Sequence, residues 1–200
     1  MRAQHVTSLY VADDGSDYGR AIALAVTQDA PPAISLARSE ASADAAFYGG
    51  TSAQGAARFF AAAPPAAKLF GPSALDTPAF ATAMPSGARN VYISSPGFLS
   101  RDLTPAGRQF VSQFTAAVGH TPAMQAIFGY EAVAATLYAI QKAGAGADDR
   151  ETVIKDFFGI KDRSSVLGTY SIDPQGETSL DAFVFSRLRA GALVPLRSAP

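Results

Sequence analysis

The sequence predicts an α/β fold built on a parallel sheet, and three occurrences of one local pattern predict it. Each is a short apolar run, a polar turn with glycine, and then a stretch of helical character. The first is residues 6–11, the turn Asp13-Asp14-Gly15-Ser16-Asp17-Tyr18-Gly19, and residues 20–26. The second is Ala45-Ala46-Phe47-Tyr48, the turn Gly49-Gly50-Thr51, and residues 52–63. The third is Lys68-Leu69-Phe70, the turn Gly71-Pro72-Ser73, and residues 76–83. In such units the carboxyl end of a strand meets the unpaired N–H groups of a helix at the turn. The three turns are therefore expected to share one rim and form a ligand crevice.

Element by element, residues 6–12 read as a buried strand, short and apolar and ending at a turn signal. A helix over 18–28 follows, closed by Pro31-Pro32. In 33–42, Ile34 and Leu36 alternate like a strand, but Ala, Leu, Arg and Glu favour a helix, which is the expectation taken. Strand 45–48, helix 52–62, strand 68–70, helix 77–83 and strand 90–94 complete a first half. Prolines 64, 65, 72, 78 and 85 sit at the joints.

After Ser95-Pro96-Gly97 the pattern changes to helices with no strand between them. Phe110, Val111, Phe114 and Val118 make one helical face, ended by Gly119. Pro122 is expected to start a longer helix, apolar nearly all round and so buried on two sides. Residues 149–158 form a third helix. Strands are expected at 166–172, 183–188 and 193–196, with Asp173-Pro174-Gln175-Gly176 and Arg189-Ala190-Gly191 as turns.

Composition narrows the function classes. A chain of 200 residues, 48% hydrophobic and 16% charged, is long and apolar enough to be globular. A net charge of −1 with no Lys/Arg cluster speaks against nucleic acid as a partner. With no cysteine there is no disulfide, thiolate metal site or thiol nucleophile. Met1-Arg2-Ala3-Gln4-His5 runs straight into a strand-like segment, so no secretory signal is expected in this chain. No window approaches ~18 continuous apolar residues, the length of a membrane span.

Enzyme signatures are missing or incomplete. Asp13-Asp14 at the end of a first strand suggests the Mg²⁺ pocket of a phosphate-accepting receiver domain, but Tyr48-Gly49-Gly50 offers no acceptor aspartate. The glycines of 50–55 have phosphate-loop spacing but continue Ala56-Ala57 where Lys and Ser/Thr are needed. No G-x-S-x-G turn exists for a serine nucleophile. His5 and His120 are far apart in the chain, and His120 falls in a solvated turn. Glu131 and Glu177 read as ordinary surface or interlobe charges, and no titratable pair has a spacing suited to acid–base work. The expectation is a non-enzymatic protein without cofactor.

Seven segments, in order, carry a family resemblance: 13–20 "DDGSDYGR", 44–50 "DAAFYGG", 69–80 "LFGPSALDTPAF", 91–96 "VYISSP", 129–133 "GYEAV", 139–144 "AIQKAG" and 166–176 "VLGTYSIDPQG". Together they resemble the extracellular ligand-binding receptors of the branched-chain amino acid type. These are solute-binding subunits of ABC transporters, with the type I periplasmic-binding-protein fold. The resemblance implies Rossmann-like, three-layer αβα lobes joined by crossovers, with a ligand held between lobes by hinge closure. Residues 1–96 and 181–200 would form most of the C-terminal-type lobe. Residues 97–180 would supply helices and one strand of an incomplete first lobe, with Pro96-Gly97 and Leu180-Asp181 as the crossovers. The chain would thus be truncated, and shortened again between residues 28 and 33.

The resemblance also implies roles for particular residues. Tyr18 stands where a tyrosine of the first strand–helix loop reaches the cleft; it also reads as a plain aromatic of a helix start. Thr51 follows Gly49-Gly50 where a pocket aromatic is common, and its hydroxyl can equally cap the next helix. Ser73 stands where a carboxylate often holds an amino acid's ammonium, and a serine cannot supply that charge. Asp76 can substitute from three residues along, or cap the helix at Thr77-Pro78. Gln125 falls near a further pocket position, at the start of a helix of the other lobe. The implied ligand is a small amino-acid-like molecule or carboxylate, and the implied partner an ABC permease. The implied location is periplasmic or extracellular. Without a first lobe, the apolar helices 107–118 and 122–143 would be exposed and promote self-association.

Overall fold

Five short segments lie side by side as parallel strands: β1 (Ser8–Asp13), β2 (Ser35–Leu36), β3 (Ala45–Gly49), β4 (Lys68–Gly71) and β5 (Val91–Pro96). The register pairs Leu9 with Ala45, Ala45 with Lys68 and Leu69 with Val91. Two later strands, β8 (Phe183–Arg189) and β9 (Ala192–Ser198), extend the sheet, whose order is β2-β1-β3-β4-β5-β8-β9. Ala190 and Gly191 both have positive φ, 49° and 77°, as a two-residue hairpin turn requires. The computed structural model describes residues 5–123, 125–180 and 182–198. The N-terminal residues 1–4 and Asp181 of the second expected crossover thus lie outside the described residues.

Compact unit 1 comprises Met1–Ser95 and Val184–Arg197; unit 2 comprises Pro96–Phe183 and Ser198–Pro200. In unit 1 the pleat sends alternate side chains to opposite faces of the sheet. Ala46, Tyr48, Leu69, Val91 and Ile93 pack on one side with Phe60 of α2 (Ala53–Ala62) and Phe80 of α3 (Pro78–Ala83). Leu9, Ala45, Phe47, Phe70 and Tyr92 pack on the other with Ile22 and Val26, which belong to α1 (Asp17–Gln28). All five residues of β3 are buried, as a central parallel strand demands. Gly19 and Gly49 are needed where α1 crosses the end of β3. A Cβ on either would lie 2.6 Å from the other's carbonyl oxygen.

Unit 2 is helical. Thr104 caps α4 (Pro105–Val118), with Pro105 in its first turn, and Gly119 ends it at φ 85°. Helix α5 (Ala126–Ala143) and helix α6 (Arg150–Phe158) follow, the latter capped by Asp149. An antiparallel hairpin of β6 (Arg163–Ser165) and β7 (Gly168–Tyr170) packs with them.

Several expectations need correction. Residues 33–42 are not a helix. The backbone N–H groups of Ser35 and Ala37 donate to Thr7 and Leu9 (2.9 Å each), so pairing with β1 overrides helix propensity, and only a 3₁₀ turn forms at Glu40–Ser42. The expected strand 166–172 is broken at its start. Ser165 Oγ donates to the Gly168 carbonyl and accepts from Leu167 N–H, turning the chain into a hairpin, and Gly168 adopts φ 126°. The long helix begins at Ala126, four residues after Pro122. It is buried on one stripe only: Ile127, Glu131, Ala135 and Ala139. On its other side Val133 and Leu137 are 61% and 59% exposed, and Tyr130, which packs against Phe110 of α4, is still 50% exposed. Glu131 is not a surface charge but a buried one, paired with Arg163.

Candidate functional site

Parallel pairing puts the carboxyl ends of β1, β3, β4 and β5 on one edge of unit 1. The loops that leave that edge are held by side chains whose spacing the sequence sets. Asp14 locks the first loop to the second. Its backbone N–H donates to the Gly49 carbonyl (3.0 Å), and its Oδ2 accepts from Thr51 N–H (3.0 Å). Its Oδ1 accepts from the backbone N–H and the hydroxyl of Ser16, at 3.0 and 2.5 Å. Ser16 Oγ in turn accepts from Gly19 N–H (2.9 Å), capping α1.

The electrostatics follow from these bonds. The Ser16 hydroxyl, then the Thr51 and Ser16 backbone N–H groups, hold the Asp14 carboxyl below its ordinary range, against a smaller opposing effect of burial. Tyr48, at the end of β3, is pushed up by burial and then by the nearby Asp14 and Asp13 carboxylates. Asp13 Oδ1 accepts from Gly15 N–H (2.8 Å). The two carboxylates that suggested a magnesium pocket are thus occupied in shaping the turn. Among the described residues no cluster of three or more His, Cys, Asp or Glu could hold a metal ion.

The second pair of loops is tied in the same way. Ser95 near the end of β5 is 1% exposed, and its hydroxyl donates to Asp76 Oδ2 at 2.5 Å. Asp76 follows a 3₁₀ turn, Ser73–Leu75, that starts after Pro72. Thr77 caps α3 by accepting from Phe80 N–H (3.2 Å). Asp76 also borders a depression of about 310 Å³ lined by Thr77, Thr82, Gly191 and Leu193.

Four of the sequence-predicted residues stand on this edge. Tyr18 lies in the first turn of α1 and is 39% exposed. Thr51 is exposed, and it is not the cap of α2: Ser52 is, accepting from Gly55 N–H at 3.0 Å. Ser73 is exposed at the start of its turn. Asp76 is half-buried against Ser95 and not a cap, that place belonging to Thr77. Gln125 is elsewhere, exposed just before α5 in unit 2. Sequence reasoning missed Asp14 and Ser95 as the residues that fix the loops. The Asp-x-Ser spacing of Asp14 and Ser16 was the available signal for the first; Ser95 had none, since its partner is 19 positions away.

The model of the periplasmic binding protein family matches residues 6–192. The chain belongs to that family. Solved structures agree in fold. An ABC transporter substrate-binding protein from Desulfitobacterium hafniense aligns with TM-score 0.77 and 18% identity, over 98% of this chain and 62% of its own. A putative branched-chain amino acid ABC transporter from Rhodospirillum rubrum gives 0.69 and 21%, over 98% and 62%. A leucine binding protein from Thermotoga maritima gives 0.69 and 16%, over 98% and 61%. This periplasmic-binding-protein chain therefore spans less than two thirds of the length of these proteins. No curated protein matches it.

Proposed function

We propose that this chain is part of a solute-binding protein of an ABC importer, without catalysis, acting in the periplasm or outside the cell. Tyr18, Thr51, Ser73 and Asp76 are proposed as one wall of the solute site. A single observation carries the reading: parallel strands deliver polar loops to one sheet edge, and Asp14 and Asp76 clamp those loops in pairs. A rim fixed in this way is preorganised for a small polar ligand.

The ligand class follows from what the clamps leave over. Both Asp14 oxygens are taken by protein donors, so Asp14 does not serve an ammonium group. Asp76 has one oxygen on Ser95 and the other without a protein donor among the described residues. Asp76 then receives the ammonium or N–H of an amino-acid-like ligand, and the hydroxyls of Thr51 and Ser73 meet its polar end. Gln125 belongs to unit 2 and is left out of this wall. Each such contact on an open rim is worth about 0.5–1.5 kcal/mol. Useful affinity therefore needs a second wall, for which the greater length of the solved relatives leaves room. The name of the Thermotoga relative makes leucine the first candidate.

A thermal-shift screen of branched-chain amino acids and small carboxylates tests this. A ligand at 100 times its dissociation constant stabilises by about 2.7 kcal/mol, and Asp76→Ala should remove the shift. No shift with any of these ligands, at millimolar concentration, ends the proposal for this chain alone.

One observation favours a second reading, that the chain associates with copies of itself. The outer side of α5 exposes Tyr130, Val133 and Leu137 together. Size-exclusion chromatography showing a monomer across a hundredfold range of concentration removes it.

A further inference from the structure

Unit 2 holds a cavity of about 210 Å³ that the proposed solute site does not use. Phe128, Ala135, Phe157, Leu167 and Leu180 give it apolar walls. Three lining residues bring polar side chains: Glu131, Tyr170 and Thr178. Glu131 is the unusual one. It is a carboxylate only 4% exposed, in the second turn of the 18-residue helix α5. Its Oε1 accepts twice, from the Arg163 guanidinium and from the Tyr170 hydroxyl (2.9 Å). The Tyr170 phenol is pushed up to about 12, first by burial and then by its bond to Glu131, so it stays protonated and keeps donating. The other carboxylate oxygen, Oε2, makes no hydrogen bond among the described residues. That oxygen is not one of the enclosed polar atoms left without a partner, so it keeps contact with solvent and is open to a donor from a ligand.

We propose that this cavity binds a small, uncharged, largely apolar molecule with a single hydrogen-bond donor, a phenol or an alcohol of like size, donating to Glu131 Oε2. The volume sets the size: a cavity of about 150 Å³ accepts benzene, so this one takes a few atoms more. The charge balance sets neutrality. Arg163 lies against Glu131 and 5.5 and 6.0 Å from the Tyr138 and Tyr170 ring centres, so the carboxylate already has its counter-charge. An ammonium ligand would bring a second positive charge into the same apolar surroundings, and a carboxylate ligand would face the unpaired oxygen. The apolar walls reject a strongly hydrated molecule. This site is independent of the rim in unit 1 and stands whether or not that rim binds an amino acid.

The probe is p-cresol, titrated calorimetrically against the full chain, with toluene and benzylamine as partners of matching size. The expected order is p-cresol tightest and toluene about tenfold weaker, the worth of one hydrogen bond. Benzylamine should bind no better than toluene. Ala132 lines the cavity and is solvent-exposed, so Ala132→Phe should fill the opening without disturbing the helix, and should abolish p-cresol binding. An unchanged circular dichroism spectrum and melting temperature confirm that this variant folds. Three results each overturn the proposal: no p-cresol binding to the unaltered chain, equal binding to Ala132→Phe, or toluene binding as tightly as p-cresol.

Discussion

Strand β3 and helix α5 are both apolar segments, and the protein treats them differently. All five residues of β3 are buried, between α1 on one face of the sheet and α2 and α3 on the other. Helix α5 is longer and nearly as apolar, yet it buries a single i, i+4 stripe and leaves Val133 and Leu137 about 60% exposed. Apolar content alone does not bury a segment; a partner element on each side does. Unit 1 supplies its own partners, whereas unit 2 covers one side of α5 only.

The largest effects should come from the closed core. Phe80 is fully buried and touches Phe60 edge-on, with ring centres 6.0 Å apart. Phe80→Ala should cost about 3–5 kcal/mol in urea denaturation. A loss below about 1 kcal/mol would mean that unit 1 is no better packed than the outer side of α5. On the buried side of α5, Glu131→Ala should cost a similar ~3–5 kcal/mol, because it leaves the Arg163 charge buried without its carboxylate. The double change Glu131→Leu with Arg163→Met should recover much of that loss, since both charges then go together. A single variant as stable as the unaltered chain would show that the pair is solvated in solution.

How far this contrast could be read in advance depended on where the deciding partner lay. The parallel half was legible because β1, β3 and β4 each run into their own turn, and Ser52, Thr77 and Asp149 are local caps. Residues 33–42 were misread because the deciding contact is with Thr7 and Leu9, some 28 positions earlier in the chain. Glu131 was misread for the same reason, its partners Arg163 and Tyr170 lying 32 and 39 positions away. At the candidate site, Tyr18, Thr51, Ser73 and Asp76 were named from the order of the motifs. The clamp by Ser95, made through the fold, was not.

A smaller effect separates the rim from the core beneath it. Asp14→Asn should cost about 1 kcal/mol at neutral pH, since solvent screens this partly exposed group and the amide can replace only some of the bonds. The dependence on pH has a definite sign. The folded-state pKa of Asp14 lies below its ordinary value of 3.8, set chiefly by the Ser16 hydroxyl. Its contribution is therefore complete above about pH 4 and is lost as pH falls through the lowered folded value. The advantage of the unaltered chain over Asp14→Asn should accordingly shrink in acid; a gap that stays constant from pH 7 to pH 2 would mean that the carboxylate does not hold the loops.

The smallest effect on stability should come from the uncovered side of α5, and there the readout is association. Val133→Lys with Leu137→Glu places opposite charges at i and i+4 on exposed positions, so the folding free energy should change by less than about 0.5 kcal/mol. If that side meets a partner in solution, including another copy of the chain, the pair of charges should block the contact. The apparent mass in size-exclusion chromatography should then fall towards that of one chain, 20.7 kDa. If instead the double variant loses several kcal/mol while its mass does not change, α5 is covered from within the chain on both sides, and the contrast between the two regions fails.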